Sequence, residues 1–283
     1  MIDHAKLAGI TVLMSGGSRG IGLAMAVRVA KAGANVAFIA KTGAPDPRLP
    51  GTIYTAAAAI EAAGGQVLPI QGDVRDGQTV SGAVEATVAR FGSVDVVINN
   101  ASAIDLGGVG VLTPKRFDLL LDVNVGGTYR LVTAALPHLL ASTRGQVMTL
   151  SPPLNLDPRW LSGHAPYTVS KYGMTMLTLG LAHQYQAEGL AAYCLWPETF
   201  IATAAVQNVV AGSEGMAAAR TPEIMADAAF SLLTSDAATT TARCHLDAEV
   251  LRATGRDDLA GYAAVPGTPD SKLAVDLFVS TSP

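Results

Sequence analysis

Cysteine, aromatic side chains and charge are all scarce in this chain: two of 283 residues are cysteine, 5% are aromatic and 15% are charged. Cys194 and Cys244 are too few for a disulfide framework and lack the spacing of a zinc site. They fit a reducing, cytoplasmic setting, and no metal site is expected. Net charge is −4, from 19 basic and 23 acidic residues, which excludes the basic footprint of a nucleic-acid or anionic-membrane binder. No apolar run approaches the roughly 18 residues of a membrane span, although the mean hydropathy of +0.34 is high. That excess is read as buried sheet plus subunit interface. The first apolar strand starts near Ile10, so no signal peptide is expected, and the final Ser-Thr-Ser-Pro is no retention or peroxisomal address.

What the chain does have is a series of short apolar runs at residues 10–15, 35–40, 66–70, 94–99, 146–150, 190–196 and 243–247. Their near-continuous apolar character predicts strands buried on both faces of a parallel sheet. Helical patterns separate them. Thr113-Pro114 and Thr221-Pro222 read as helix starts, and Gly33 and Gly64-Gly65 as helix stops. The alternation predicts one α/β domain over residues 1–265, a Rossmann-type doubly wound sheet of about seven strands with ligands beyond their carboxyl ends. Residues 266–283 have weak periodicity and read as a tail packed on the domain or on a neighbouring subunit.

The first strand runs into Ser15-Gly-Gly-Ser-Arg-Gly-Ile-Gly22 and then directly into a helix. Gly16, Gly20 and Gly22 permit a tight turn and close backbone approach, so the helix amides around Ser18, Arg19 and Ile21 would meet a pyrophosphate. At the end of the second strand, where an NAD enzyme places a carboxylate on the ribose 2′-hydroxyl, the chain reads Ala40-Lys41-Thr42. Nothing there repels a 2′-phosphate, and Lys41 and Arg19 would attract one, so NADP is expected as cofactor. Two solvated surface cations are the alternative. Tyr167 and Lys171 are four residues apart in a helical pattern, hence on one face. A neighbouring ammonium, reinforced by the positive nicotinamide of an oxidised cofactor, would favour the phenolate, which turns a weak acid–base group into a useful one.

The spacing Gly-x-x-x-Gly-x-Gly, with Tyr-x-x-x-Lys after the fifth strand, resembles the short-chain dehydrogenase/reductase family. By that resemblance Asp73-Val74 would contact adenine, and Asn100-Ala101, within Asn99-Asn-Ala-Ser102, would lie against the adenine ribose. Tyr167 would exchange a proton with the substrate oxygen, Lys171 would also hold the nicotinamide ribose, and Asn124 would anchor a proton-relaying water. A helix asparagine facing solvent is the alternative for Asn124. The family expects Pro-Gly after the sixth strand; here Pro197-Glu198 is followed by Ile201 and Thr203, which would contact the nicotinamide carboxamide and the diphosphate. The family's catalytic serine aligns with Pro152, which has no donor. Ser151 or Asn155 would have to supply the missing hydrogen bond. Segments 40–65, 151–160, 167–174 and 195–205 resemble a hydroxysteroid dehydrogenase-like subgroup whose animal members append a sterol-carrier domain; none of these residues corresponds to that appended domain.

The expected function is therefore NADP(H)-dependent interconversion of a carbonyl and an alcohol. Residues 198–220 are small and mostly apolar where the family carries a substrate lid, and Trp160, Leu161 and His164 precede the catalytic helix. A hydrophobic substrate is expected, lipid-like or terpenoid, although a lid uninformative about specificity is the alternative. His164 reads as a loop histidine. The family implies a homo-oligomer, dimer or tetramer, paired through long helices such as 113–140. The contrasting reading is a catalytically silent nucleotide-binding regulator or scaffold of the same fold, motivated by Pro152.

Overall fold

The computed structural model describes residues 6–46 and 49–280. Seven strands, β1 (Thr11–Ser15), β2 (Asn35–Ala40), β3 (Val67–Gln71), β4 (Val96–Asn99), β5 (Gln146–Thr149), β6 (Ala191–Trp196) and β7 (Cys244–Leu246), lie where the apolar runs place them. All pair in parallel, in the order β3-β2-β1-β4-β5-β6-β7. The helices are α1 (Gly20–Lys31), α2 (Ile53–Ala62), α3 (Gly77–Phe91), α4 (Pro114–Leu120), α5 (Gly127–Ala141), α6 (Pro158–Gln184), α7 (Gly212–Ala217), α8 (Glu223–Thr234), α9 (Ala237–Thr240) and α10 (Asp247–Ala253).

Side chains alternate between the two faces of a strand, and here both faces are covered. Val12, Met14, Val36, Phe38, Met148 and Tyr193 share a core with Met25 and Val29 of α1 and Ile224 and Leu233 of α8. The intervening Leu13, Ala37, Val97 and Val147 share the opposite core with Val80 and Val84 of α3 and Leu131 and Leu139 of α5. Strand order reverses at β1, whose neighbours β2 and β4 lead in opposite directions. That reversal opens a crevice at the carboxyl ends, where the glycine loop lies.

Local chemistry explains several boundaries and departs from the sequence reading at three. The Thr113 side chain caps α4 as expected, and α2 starts at a reciprocal box in which Thr52 and Thr55 each bond the other's backbone N–H. Thr221 makes no such cap; α8 begins at Glu223. The expected long helix 113–140 is broken by a π-turn at Leu121–Gly126, between α4 and α5. The turn lies at close packing: Asn124 within it is fully buried, and a Cβ at Gly127, just after it, would come within 2.7 Å of Val74 Cγ2. The catalytic helix is longer than its pattern suggested and kinks at His164 (φ −146°, ψ 44°), two residues before Pro166, whose nitrogen cannot donate to the preceding turn.

The tail docks on its own chain. Val275 forms an antiparallel bridge with Thr199, and Phe200 N–H donates to the Ala274 carbonyl at 2.9 Å. Trp196 Nε1 donates to the Leu277 carbonyl at 2.9 Å, and Asn155 Nδ2 to the Phe278 carbonyl at 3.0 Å. Phe278 is wholly buried, with its ring centroid 5.3–6.1 Å from those of Trp160, His164, Tyr167, Tyr172 and Trp196.

Asp247 ties α10 to the turn after β6: Oδ1 accepts the N–H groups of Glu198 and Ala248 at 2.8 and 2.7 Å. Burial lifts its carboxyl to about 6. The folded protein thus keeps a proton that the unfolded chain loses near pH 4, so this contribution is full below pH 4 and fades as pH rises through 6. Asp247→Asn is expected to gain stability relative to wild type between pH 4 and 7, by on the order of 2 kcal/mol, in urea unfolding at the two pH values.

Candidate active site

Close approach of the backbone requires glycine at the loop between β1 and α1. A Cβ at Gly22 would come within 2.3 Å of the Gly16 carbonyl oxygen, and one at Gly16 (φ +77°) within 2.8 Å of Asn100 Nδ2. Asn100 is itself part of the cradle: Nδ2 donates to the carbonyls of Ser15 and Gly16 at 3.2 and 2.8 Å. The Ser15 hydroxyl accepts the N–H groups of Asn100 and Ala101, both at 3.1 Å. Sequence reasoning named Asn100 and Ala101 but missed Ser15, although its place at the end of β1 was a readable signal. Arg19, at the helix N-cap, offers no side-chain cap to the amides of α1, which leaves them for a ligand.

The cavity that opens here has a volume of about 1490 Å³. Along its wall run Gly16, Ser18, Arg19, Gly20, Ile21, Gly22, Lys41, Asp73, Val74, Asn100 and Ala101, then Tyr167, Lys171, Pro197, Ile201 and Thr203. Asp73 holds a bidentate bond from Arg75, which sets its carboxyl low, at about 2, and Lys41 Nζ lies 3.4 Å from it. Arg19 Nη2 donates to the Gly51 carbonyl at 3.0 Å, while its buried Nε has no partner among the described residues. An orphaned guanidinium N–H beside helix amides, around glycines where a Cβ cannot fit, is a cradle suited to phosphate.

Tyr167 and Lys171 come from α6, beyond the His164 kink, and both are buried. Lys171 Nζ donates to the Leu150 carbonyl at 2.6 Å and lies 5.0 Å from the centre of the Trp196 ring. Burial lowers the ammonium to about 7. Burial first and the nearby Asp276 second raise the Tyr167 phenol, and only a bond from Ser102 opposes them. The tyrosine therefore holds its proton. Ser102, which stands where the family has glycine, and Asp276 were both missed by sequence reasoning.

Four other residues lie away from the cavity wall. Asn124 does not face solvent: Oδ1 accepts Ala103 N–H at 2.7 Å, and Nδ2 donates to the Ala103 carbonyl at 3.0 Å and to Ser170 Oγ at 2.9 Å. It fastens the loop after β4 to α6. Ser151 is wholly buried beside the Cys194 thiol, because its N–H turns back to the Thr149 carbonyl and the next carbonyl, of Pro152, accepts from Thr175. Its hydroxyl is not presented to the cavity. Asn155 spends its amide on the tail, donating to the Phe278 carbonyl and Ser280 Oγ. His164 is packed on Phe278, with Nδ1 3.1 Å from Thr168 Oγ1, as a structural histidine.

Comparison with known proteins agrees with this geometry. A family model described as short chain dehydrogenase matches residues 10–214. Hydroxysteroid dehydrogenase-like protein 2 of Danio rerio is 46% identical over 281 residues, 99% of this chain, and the human protein of that name is 43% identical over the same length. The chain spans only 66% of the length of either relative. A crystal structure of a short chain dehydrogenase from Mycobacterium thermoresistibile superposes with a TM-score of 0.90 at 49% identity, covering 96% of both chains. A Rossmann-like sheet, a glycine cradle and a Tyr-Lys helix thus meet with sequence likeness along nearly the whole length, and the chain belongs to the short chain dehydrogenase family of oxidoreductases.

Proposed function

We propose that this chain is an NADP(H)-dependent oxidoreductase that interconverts a carbonyl and an alcohol on a hydrophobic substrate. The observation that carries the reading is that Tyr167 and Lys171 open onto the same cavity as the glycine loop. A dinucleotide fits the cradle: the α1 amides and Arg19 Nε would hold its phosphates, Asn100 and Ala101 its adenosine side, and Ile201 and Thr203 its nicotinamide side. The bound nicotinamide supplies the hydride. In the reducing direction Tyr167, neutral at ordinary pH, gives its proton to the substrate oxygen. Lys171, able to change charge near pH 7, neutralises the phenolate that remains and passes it a proton. Asn124 keeps the two facing elements in register.

The preference for NADP rests on Lys41 and Arg19 at the place where a carboxylate would otherwise repel a 2′-phosphate. Lys41→Ala is expected to raise the Kd for NADPH roughly tenfold and leave that for NADH unchanged, measured by fluorescence titration. The hydrophobic substrate is supported by the lid side of the cavity, where Phe200, Val206, Val209 and Met216 line the wall. Among the described residues no helix is long and apolar enough to cross a membrane. Exposed Tyr129 on α5 and Val169 and Met176 on α6 support a homo-oligomer, and the free thiols Cys194 and Cys244 support a cytoplasmic setting.

NADPH oxidation across aliphatic, terpenoid and steroid carbonyls, with Tyr167→Phe alongside, tests the reading. Turnover that disappears in the variant supports it. Turnover equal in both proteins removes the catalytic assignment, and no turnover on any compound favours a silent nucleotide-binding protein.

A further inference from the structure

Pro152, buried Ser151 and tail-bound Asn155 do not provide the second hydrogen-bond donor that the family's serine gives the reacting oxygen. A polar side chain does reach the cavity wall beside Tyr167 and Lys171, and it comes from the far end of the chain. We propose that Asp276, carried there by the tail, hydrogen-bonds the reacting oxygen of the substrate, in the place that a serine holds elsewhere in the family. The inference rests on the oxidoreductase reading given above.

Asp276 is held rigidly. Its N–H donates to the Glu198 carbonyl at 3.0 Å, directly after the Thr199–Val275 bridge, and Phe278, two residues on, is the buried wedge among five rings. One carboxyl oxygen, Oδ1, accepts Leu277 N–H at 2.6 Å. The other makes no hydrogen bond among the described residues, and the residue lines the cavity. A carboxylate here would repel the charge that develops on a carbonyl oxygen, whereas a carboxylic acid would donate to it.

The surroundings decide between those states. Facing Asp276 are Tyr167 and Lys171 from α6 and Asp247 from α10. Glu198 below it is committed to Arg220 and Arg252, and Asp270 of the same tail to Arg220. Burial and the proximity of Asp247 outweigh Lys171, so the carboxyl is raised well above its ordinary range. The surroundings thus favour the neutral acid, which on the cavity wall beside Tyr167 can donate to the oxygen that Tyr167 protonates.

Carboxyl-13C aspartate NMR, with Asp276→Asn to assign the signal, is expected to find Asp276 still protonated at pH 7. Ionisation near pH 4, where aspartate ordinarily titrates, overturns the proposal. In kinetics with the carbonyl compound that turns over best, Asp276→Ala is expected to lose about 100-fold in kcat/KM at pH 7. Asp276→Asn, which keeps an N–H donor, should lose less than about tenfold and lack the alkaline fall caused by loss of the Asp276 proton. Unchanged kcat/KM in Asp276→Ala overturns the proposal, as does a parallel loss of NADPH affinity in both variants, which would make the residue a strut. Turnover that survives Tyr167→Phe but falls in Asp276→Ala would remove the tyrosine reading and leave Asp276 standing. The reverse pattern removes Asp276 alone.

Discussion

Tyr167→Phe is expected to lower kcat by about 10³-fold and to leave the Kd for NADPH within about twofold, because general acid catalysis contributes in that range while the ring itself remains. The substitution is clean on structural grounds. Among the described residues the phenol oxygen has only the exposed Ser102 hydroxyl as a side-chain hydrogen-bond partner, so its removal orphans no buried donor there. The ring keeps its packing on Phe278, 6.1 Å away between centroids. Stability should therefore be almost unchanged, and stopped-flow hydride transfer should separate a chemical defect from a binding one. A variant that loses NADPH affinity and turnover equally would point to a role in holding the cofactor, not in proton transfer.

The second large effect is on stability. Phe278→Ala removes a fully buried ring, and comparable truncations cost about 3–5 kcal/mol. The backbone adds to the cost of holding this segment, since Phe278 sits at φ +69°, in the left-handed region. The ring contacts must outweigh that strain for the tail to stay docked. Urea unfolding should show a loss of roughly 3 kcal/mol if tail and body unfold together. If the tail releases first, limited proteolysis should cut within residues 266–280 before the body unfolds, and Tyr167 should become more exposed. An unchanged midpoint with an intact tail would refute the role given to the ring.

Periodicity located all seven strands because each is buried on both faces and reads as an unbroken apolar run between turn residues. The glycine loop and the Tyr167–Lys171 pair were legible for a similar reason: their chemistry depends on local spacing, and local spacing is what a sequence displays. The π-turn at Leu121–Gly126 was hidden, since the bonds made from it by Asn124 go to residues distant in sequence, on the loop after β4 and on α6. Ser151 is a subtler case. Its alignment beside the family's serine was readable, but the direction of its side chain depends on a carbonyl bound by Thr175 on another element. Least legible was the tail, where Phe278 and Asp276 are ordinary residues in a weakly periodic stretch. Their importance comes only from what the fold places against them.

The bond between Asn155 and the Phe278 carbonyl joins residues 123 positions apart. During synthesis the cradle, the crevice and the Tyr-Lys helix are all made well before this partner exists, and contacts of such long sequence separation form late and slowly. Until Phe278 has been added, the ring cluster around Tyr167 lacks its centre. Ribosome-bound chains halted near residue 260 would expose Trp160, Tyr172 and Trp196 to water, so this region is the one to search for chaperone contacts on the nascent protein.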